Sequence, residues 1–90
     1  MQQKTVTVVN INGIHCRPSS AIVKVAMQYK SELIAECASG KANLKSMIEI
    51  ITLALHCGDD VTVMTSGEDE EAAIEALAEA FTTHYDYPDK

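Results

Sequence analysis

Residues 32–43 have the sequence ELIAECASGKAN, which predicts a β-hairpin. Residues 32–38 form a short, largely apolar run of the length expected for a strand. Ser39-Gly40 is a turn signal, and Lys41-Ala42-Asn43 follows it as a short returning strand. Because a tight turn joins antiparallel neighbours, this segment predicts an antiparallel sheet.

Strands and helices alternate on both sides of the hairpin. Residues 4–11 alternate and are rich in β-branched side chains, which predicts a strand, and residues 60–66 have the same character. Apolar residues recur at helical spacing over residues 17–29, and a short apolar helix is predicted over about residues 47–53. Asp69 or Glu68 is placed to cap a last helix, whose predicted buried stripe is Ile74, Leu77, Ala78 and Phe81.

The order β-α-β-β-α-β-α predicts an α+β fold with a four-stranded antiparallel sheet and three helices on one face. The chain has 90 residues, of which 47% are hydrophobic, so we expect one domain over residues 1–90 with a modest core. We expect the tail after about residue 82 to be frayed. A domain of this size leaves little space for a deep pocket, so a surface site is expected.

Composition argues against several classes of function. The formal net charge of −6 disfavours nucleic acid as a partner, since phosphate binding needs clustered Lys and Arg. The three cysteines lack the spacing of a disulfide framework, which is typical of a reducing compartment. No apolar signal segment is present, and no apolar run is long enough to cross a bilayer. We therefore expect a cytoplasmic protein without a membrane partner.

Residues 13–18, Gly13-Ile14-His15-Cys16-Arg17-Pro18, combine features that suit an anion. Gly13 permits a turn out of the first strand, and Pro18 falls in the first turn of the helix, where its missing N–H does little harm. The N–H groups of Cys16 and Arg17 would lack partners inside the helix, and Arg17 adds a forked cationic donor. The imidazole of His15 is a nucleophile near neutral pH, so it could take a phosphoryl group.

Other interpretations of the same residues remain open on the pattern alone. His15 could be a polar cap before a common helix opening. His15-Cys16 and His56-Cys57 are pairs of nitrogen and sulfur ligands, which makes a soft-metal binding domain an alternative, although the chain has no C-x-x-C motif. A free-standing enzyme is disfavoured, because the chain offers one candidate nucleophile and no paired base.

Residues 43–48, Asn43-Leu44-Lys45-Ser46-Met47-Ile48, lead into the short apolar helix. Ser46 stands where a helix N-cap is expected, and a phosphate there would face a helix N-terminus, which accommodates added negative charge. The helix is too apolar for one buried stripe. The predicted core stripe is Ile50, Leu53 and Ala54. A second stripe, part of which is predicted to reach the surface as a docking site, consists of Met47, Ile48, Ile51 and Leu55.

The two segments, in this order and separation, resemble the HPr family, the histidine-containing phosphocarriers of the phosphoenolpyruvate–sugar phosphotransferase system. The resemblance extends from the first strand to Phe81. Residues 13–18 look like the active-site motif of the family, and residues 43–47 look like its regulatory segment. The resemblance implies an open-faced β-sandwich that works as a monomer without a cofactor or metal.

The resemblance also implies the role of each site residue. His15 would accept a phosphoryl group on Nδ1 from phosphorylated Enzyme I and pass it to an EIIA domain of a sugar transporter. Arg17 and the first-turn amides, with Cys16 and Pro18 beside them, would stabilise the phosphorylated state. Ser46 matches the position that HPr kinase/phosphorylase modifies. The positions that match the docking surface for partners are Lys24, Lys45, Met47, Ile48 and Ile51.

On this basis the chain is a substrate of Enzyme I and of HPr kinase rather than an enzyme, and a carbon-regulatory transcription factor is a further candidate partner. Several positions depart from the pattern of the family. Cys16 stands where a small residue is usual, and Ala54 replaces a common glycine. Glu49 adds negative charge that could weaken docking on an acidic partner. The alternative within the family is a regulator of the nitrogen-related phosphotransferase branch, against which Ser46 argues.

Overall fold

The computed structural model describes residues 1–9 and 16–82, with side chains from residue 19 onward in the second range. Four strands form one antiparallel sheet in the order β1-β4-β2-β3. The predicted hairpin of β2 and β3 is confirmed, with Cys37 paired with Gly40 next to the turn. The elements are β1 (Gln2–Thr7), α1 (Cys16–Ala26), β2 (Glu32–Cys37), β3 (Gly40–Asn43), α2 (Met47–Thr52), β4 (Asp60–Ser66) and α3 (Glu70–Thr82).

The core lies between the sheet and the helices. In β2 and β4, alternate side chains are buried and face the helices, as expected when one face of a sheet is covered. The predicted arrangement of three helices on one face is confirmed. The largest fully buried side chains of this core are Phe81, Ile22, Leu33, Leu44, Ile50, Leu77, Val8, Val61 and Val63. No helix of the described residues is long and apolar enough to span a bilayer.

Two predicted elements differ from the observed ones by more than one residue at an end. The first strand was predicted over residues 4–11 but spans Gln2–Thr7. Its ladder with β4 ends at Thr7, because Val8 exchanges backbone hydrogen bonds with Gly58 and Asp59, at 2.9 Å each. The first helix was predicted to reach residue 29 but ends at Ala26, because Gln28 and Tyr29 donate their N–H groups to carbonyls three residues back instead of four.

The start of α3 also differs in detail from the predicted cap. The carbonyl of Asp69 accepts the first helical hydrogen bond, from Ala73 N at 2.9 Å. Its carboxylate accepts from the N–H groups of Lys30 (2.9 Å) and Ser31 (3.0 Å), and from the Ser31 hydroxyl. The Ser31 hydroxyl above all, and then the Lys30 N–H, hold the pKa of Asp69 below its ordinary value. Asp69 therefore connects α3 to the segment between α1 and β2.

Candidate functional site

The predicted phosphoryl-accepting segment lies at the start of α1. His15 falls in residues 10–15, outside the described residues, so its role stays a prediction. Cys16 is the first residue of α1, so the predicted helix start is confirmed to within one residue. Arg17 and Pro18 follow in the first turn, and their side chains, like that of Cys16, lie outside the described residues. From there α1 runs on in contact with both α2 and α3.

Ser46 forms the N-cap of α2, as predicted. Its backbone is extended, with φ −119° and ψ 111°, and its hydroxyl accepts a hydrogen bond from the Glu49 N–H at 3.4 Å. Its own N–H donates to the Asn43 carbonyl at 3.0 Å. An extended residue whose side-chain oxygen accepts from the N–H three residues later is the usual geometry of a helix cap. The Ser46 hydroxyl therefore has a structural role as the cap of α2.

Glu49 completes this cap in a way that the sequence analysis missed. Its carboxylate accepts from the Asn43 N–H at 2.8 Å, while the Asn43 side-chain oxygen accepts from the Lys45 N–H at 2.9 Å. The sequence Ser46-Met47-Ile48-Glu49 has the S-x-x-E pattern of a capping box, and this pattern could have predicted that Glu49 takes part in the cap. In the usual capping box the glutamate reaches back to the N–H of the cap residue. Here it reaches three residues further, to the end of β3.

Three large apolar side chains of α2 are exposed. Ile48 is 78% exposed, Ile51 39% and Met47 36%, and we call these three residues the α2 patch. Ile50, the buried residue of the helix, lies in the core. The prediction that part of a second stripe reaches the surface is confirmed for these three side chains. A contiguous exposed apolar surface on so small a protein is typical of a docking site.

The end of α2 departs from the predicted stripes. Ala54 was predicted to face the core but is exposed, and its φ of 54° is in the left-handed region. Leu55 was grouped with the surface stripe but is only 4% exposed. The helix ends at Thr52, and the left-handed residue turns the chain, so helical spacing no longer applies at residue 55. Ala54 occupies the position at which glycine is preferred after a helix.

The two basic residues predicted beside the docking surface differ in exposure. Lys24 is exposed in the last turn of α1, where a cation suits the helix dipole. Lys45 is half-buried immediately before Ser46, and its N–H is held by the Asn43 side chain. Since α1 contacts α2, the structure places Lys24 and the α2 patch on neighbouring elements.

Of the two pairs of nitrogen and sulfur ligands in the soft-metal alternative, His56-Cys57 lies within the described residues. His56 and Cys57 occupy the turn before β4, and the nearest charged partner of His56 Nδ1 is an Asp59 oxygen at 3.6 Å. Over residues 1–9 and 16–82, no group of three or more His, Cys, Asp or Glu side chains could hold a metal ion. His15, the other imidazole of that alternative, lies outside this range.

Comparison with known proteins identifies the family. A family model described as "PTS HPr component phosphorylation site" matches residues 2–83. The phosphocarrier protein HPr of Haemophilus influenzae is 36% identical over 83 residues, which cover 92% of this chain and 98% of that protein. The structure of HPr-C-His from Thermoanaerobacter tengcongensis matches with a TM-score of 0.85 at 33% identity, covering 90% of this chain and 91% of that one.

An HPr dimer from the same organism matches with a TM-score of 0.69 at 34% identity, covering 88% of this chain and 91% of that one. The expectation of a monomer is therefore not confirmed by the solved relatives. The family model and the structural match to HPr-C-His each cover most of this chain. The chain belongs to the HPr family of phosphocarrier proteins of the phosphotransferase system.

Proposed function

We propose that this chain carries a phosphoryl group on His15 between two protein partners. The observation that carries the proposal is the match of residues 2–83 to the family model of the HPr phosphorylation site, in a chain whose α1 begins directly after His15. A histidine before a helix start lies next to N–H groups without helical partners and at the positive end of the helix dipole. Both favour an added dianion.

The transfer itself needs no metal on this protein. The Nδ1 lone pair of neutral His15 attacks phosphorus, the bond from phosphorus to the donor atom of phosphorylated Enzyme I breaks, and the donor atom keeps the electron pair. The reverse chemistry on an EIIA domain regenerates free His15. Arg17, with Cys16 and Pro18 in the same turn, is proposed to stabilise the phosphorylated state, because a guanidinium matches phosphate oxygens in geometry and charge.

The α2 patch is the proposed docking surface for Enzyme I and EIIA domains. Ile48 in particular is too exposed to contribute much to the core, so its apolar side chain is available to a partner. Lys24 and Lys45 would add charge complementarity around the patch, which mainly raises association rates. A carrier between cytoplasmic partners needs only brief complexes, and a small apolar patch with a charged rim suits them.

Ser46 is the proposed regulatory site. In the active site of an HPr kinase/phosphorylase, the Ser46 hydroxyl oxygen would attack the γ-phosphorus of ATP, the bond to the bridging oxygen would break to release ADP, and the hydroxyl proton would pass to a base of the kinase. The support is the position of Ser46, which immediately precedes the α2 patch and caps α2. A phosphate there would add about two negative charges beside the docking surface and weaken complexes with acidic partners.

The proposal is tested by incubating the chain with Enzyme I, magnesium and phosphoenolpyruvate. We expect an acid-labile, alkali-stable phosphoryl group on the wild type and none on the His15→Ala variant. The His56→Ala variant is the matched control, because His56 is exposed and lies in a turn distant in sequence from α1. Label retained on His15→Ala, or lost equally on His56→Ala, would refute the assignment.

A further inference from the structure

We propose that Glu49 takes part in regulation at Ser46. Its carboxylate covers the Asn43 N–H at the end of β3, and a phosphoryl group on Ser46 breaks this hydrogen bond. We call the hydrogen bond from the Asn43 N–H to the Glu49 carboxylate the 43–49 latch. The inference rests on the proposed function in one respect, the modification of Ser46. Beyond that modification, the inference adds a change in structure, the loss of the 43–49 latch. This change depends on Glu49, a position at which the chain departs from the usual pattern of the family.

The latch and the cap share the same residues. Asn43 donates its N–H to Glu49 at 2.8 Å and accepts from the Ser46 N–H at 3.0 Å through its carbonyl. Glu49 in turn donates its own N–H to the Ser46 hydroxyl at 3.4 Å. These three bonds form a closed ring through Asn43, Ser46 and Glu49. A change at the Ser46 hydroxyl therefore acts on a ring that contains the carboxylate.

Charge gives the direction of the change. The Ser46 hydroxyl oxygen lies 3.4 Å from the backbone nitrogen of Glu49, so a phosphoryl group added there would lie in the same turn as the Glu49 carboxylate. A phosphoserine carries about 1.5 to 2 negative charges at neutral pH, within the range at which a second anion is repelled even in water. Glu49 is exposed, so its carboxylate is free to move away when it is repelled.

The surroundings of Glu49 offer it another partner. Glu49 lines a shallow surface cleft together with Lys41 of β3 and Glu32 of β2. Lys45, next to Ser46, is not among the residues that line this cleft. A carboxylate displaced from Asn43 would move away from the phosphate and Glu32 and toward Lys41.

Release of the latch would expose a sheet edge. β3 is an edge strand, and Leu44, which directly follows it, donates its N–H toward β2, to the Leu33 carbonyl at 2.9 Å. The Asn43 N–H points the other way and is covered by Glu49. An uncovered edge donor is a site at which another chain can pair. Phosphorylation at Ser46 would thus change the shape of this corner as well as its charge.

The test compares full-length proteins with and without phosphoserine at position 46, introduced during synthesis so that no kinase is needed. Exchange of the Asn43 amide proton with water is measured by NMR in the wild type, in Glu49→Gln and in Glu36→Gln. Gln keeps an oxygen that can accept the Asn43 N–H but carries no charge. Glu36, an exposed carboxylate of β2, is the control for removal of one charge elsewhere.

We expect phosphoserine to accelerate Asn43 exchange about tenfold in the wild type and in Glu36→Gln, as loss of a hydrogen bond to a charged group implies. Glu49→Gln should show little acceleration. An unchanged rate in the phosphorylated wild type overturns the proposal, and so does equal acceleration in Glu49→Gln. Failure of a kinase to label Ser46 would instead remove the proposed regulation, and it would leave this measurement unaffected.

Discussion

Replacement of Ala54 by glycine should stabilise this protein, although most mutations destabilise proteins. Ala54 follows the end of α2 with a φ of 54°, and it is the one non-glycine residue of the described ranges with a positive φ. Its side chain is exposed, so its removal leaves no cavity in the core. The substitution should therefore act through the backbone.

The magnitude follows from two opposing effects. A residue with a Cβ pays about 1–2 kcal/mol for the left-handed conformation, and glycine avoids this cost. Glycine gives the unfolded chain more freedom, which costs about 0.4–1 kcal/mol in the free energy of folding. The difference predicts a gain of about 0.8 kcal/mol in the free energy of unfolding. For a domain of this size that gain raises Tm by about 3–6 °C.

Thermal and urea unfolding at neutral pH measure this gain, with the Ala38→Gly variant as a matched control. Ala38 is an exposed alanine of the β2–β3 turn without a positive φ, so only the loss through the unfolded chain should apply. That control should be destabilised by about 0.4–1 kcal/mol. If Ala54→Gly is destabilised to the same degree as Ala38→Gly, the argument from the left-handed backbone is refuted.

Three further predictions address docking, regulation and pH. Ile48→Glu should weaken binding to Enzyme I at least tenfold in a titration, with an unchanged Tm. Gln3→Glu, which adds a charge on β1, should bind as the wild type does. If Ile48→Glu binds as tightly as the wild type, the α2 patch is not the docking surface. Ser46→Ala should take no acid-stable phosphate from the kinase and ATP, and labelling equal to the wild type would disprove the site. Asp69 has a folded-state pKa below the unfolded value of 3.8, so its contribution is present above that pH and is lost as the pH falls through the folded pKa. The wild type should exceed Asp69→Asn in urea midpoint at pH 7 and lose this advantage in acid; an advantage independent of pH would contradict the assignment.

Local patterns allowed the fold to be predicted from the sequence. The β2–β3 hairpin depends on a turn signal and two adjacent runs, and the β4 boundaries at residues 60–66 match the prediction. Ser46 was recognised as a cap because capping depends on residues within one helical turn. Each of these features is encoded in neighbouring residues, so a single sequence suffices to find it.

Features that join distant residues were not predictable in the same way. The Asp69 carboxylate was assigned to its own helix, but it bonds to Ser31, which is 38 positions away. Leu55 was assigned by helical spacing, which fails once Ala54 adopts a left-handed conformation. Glu49 was treated as a surface charge, although the S-x-x-E pattern indicates that a carboxylate at that position takes part in capping. The role of His15 was inferred from its position before α1 together with the family resemblance.

The strand order has a consequence for the synthesis of the protein. β1 is the first element of the chain, but its partner in the sheet is β4, with Gln2 opposite Thr65. During translation β1 has no partner until β4 has been made, a delay of about 3–13 s at an elongation rate of about 5–20 residues per second. β1 therefore cannot join the sheet before then. A ribosome stalled before residue 60 would therefore carry a chain in which α1, β2 and β3 have been synthesised but β1 is still unpaired.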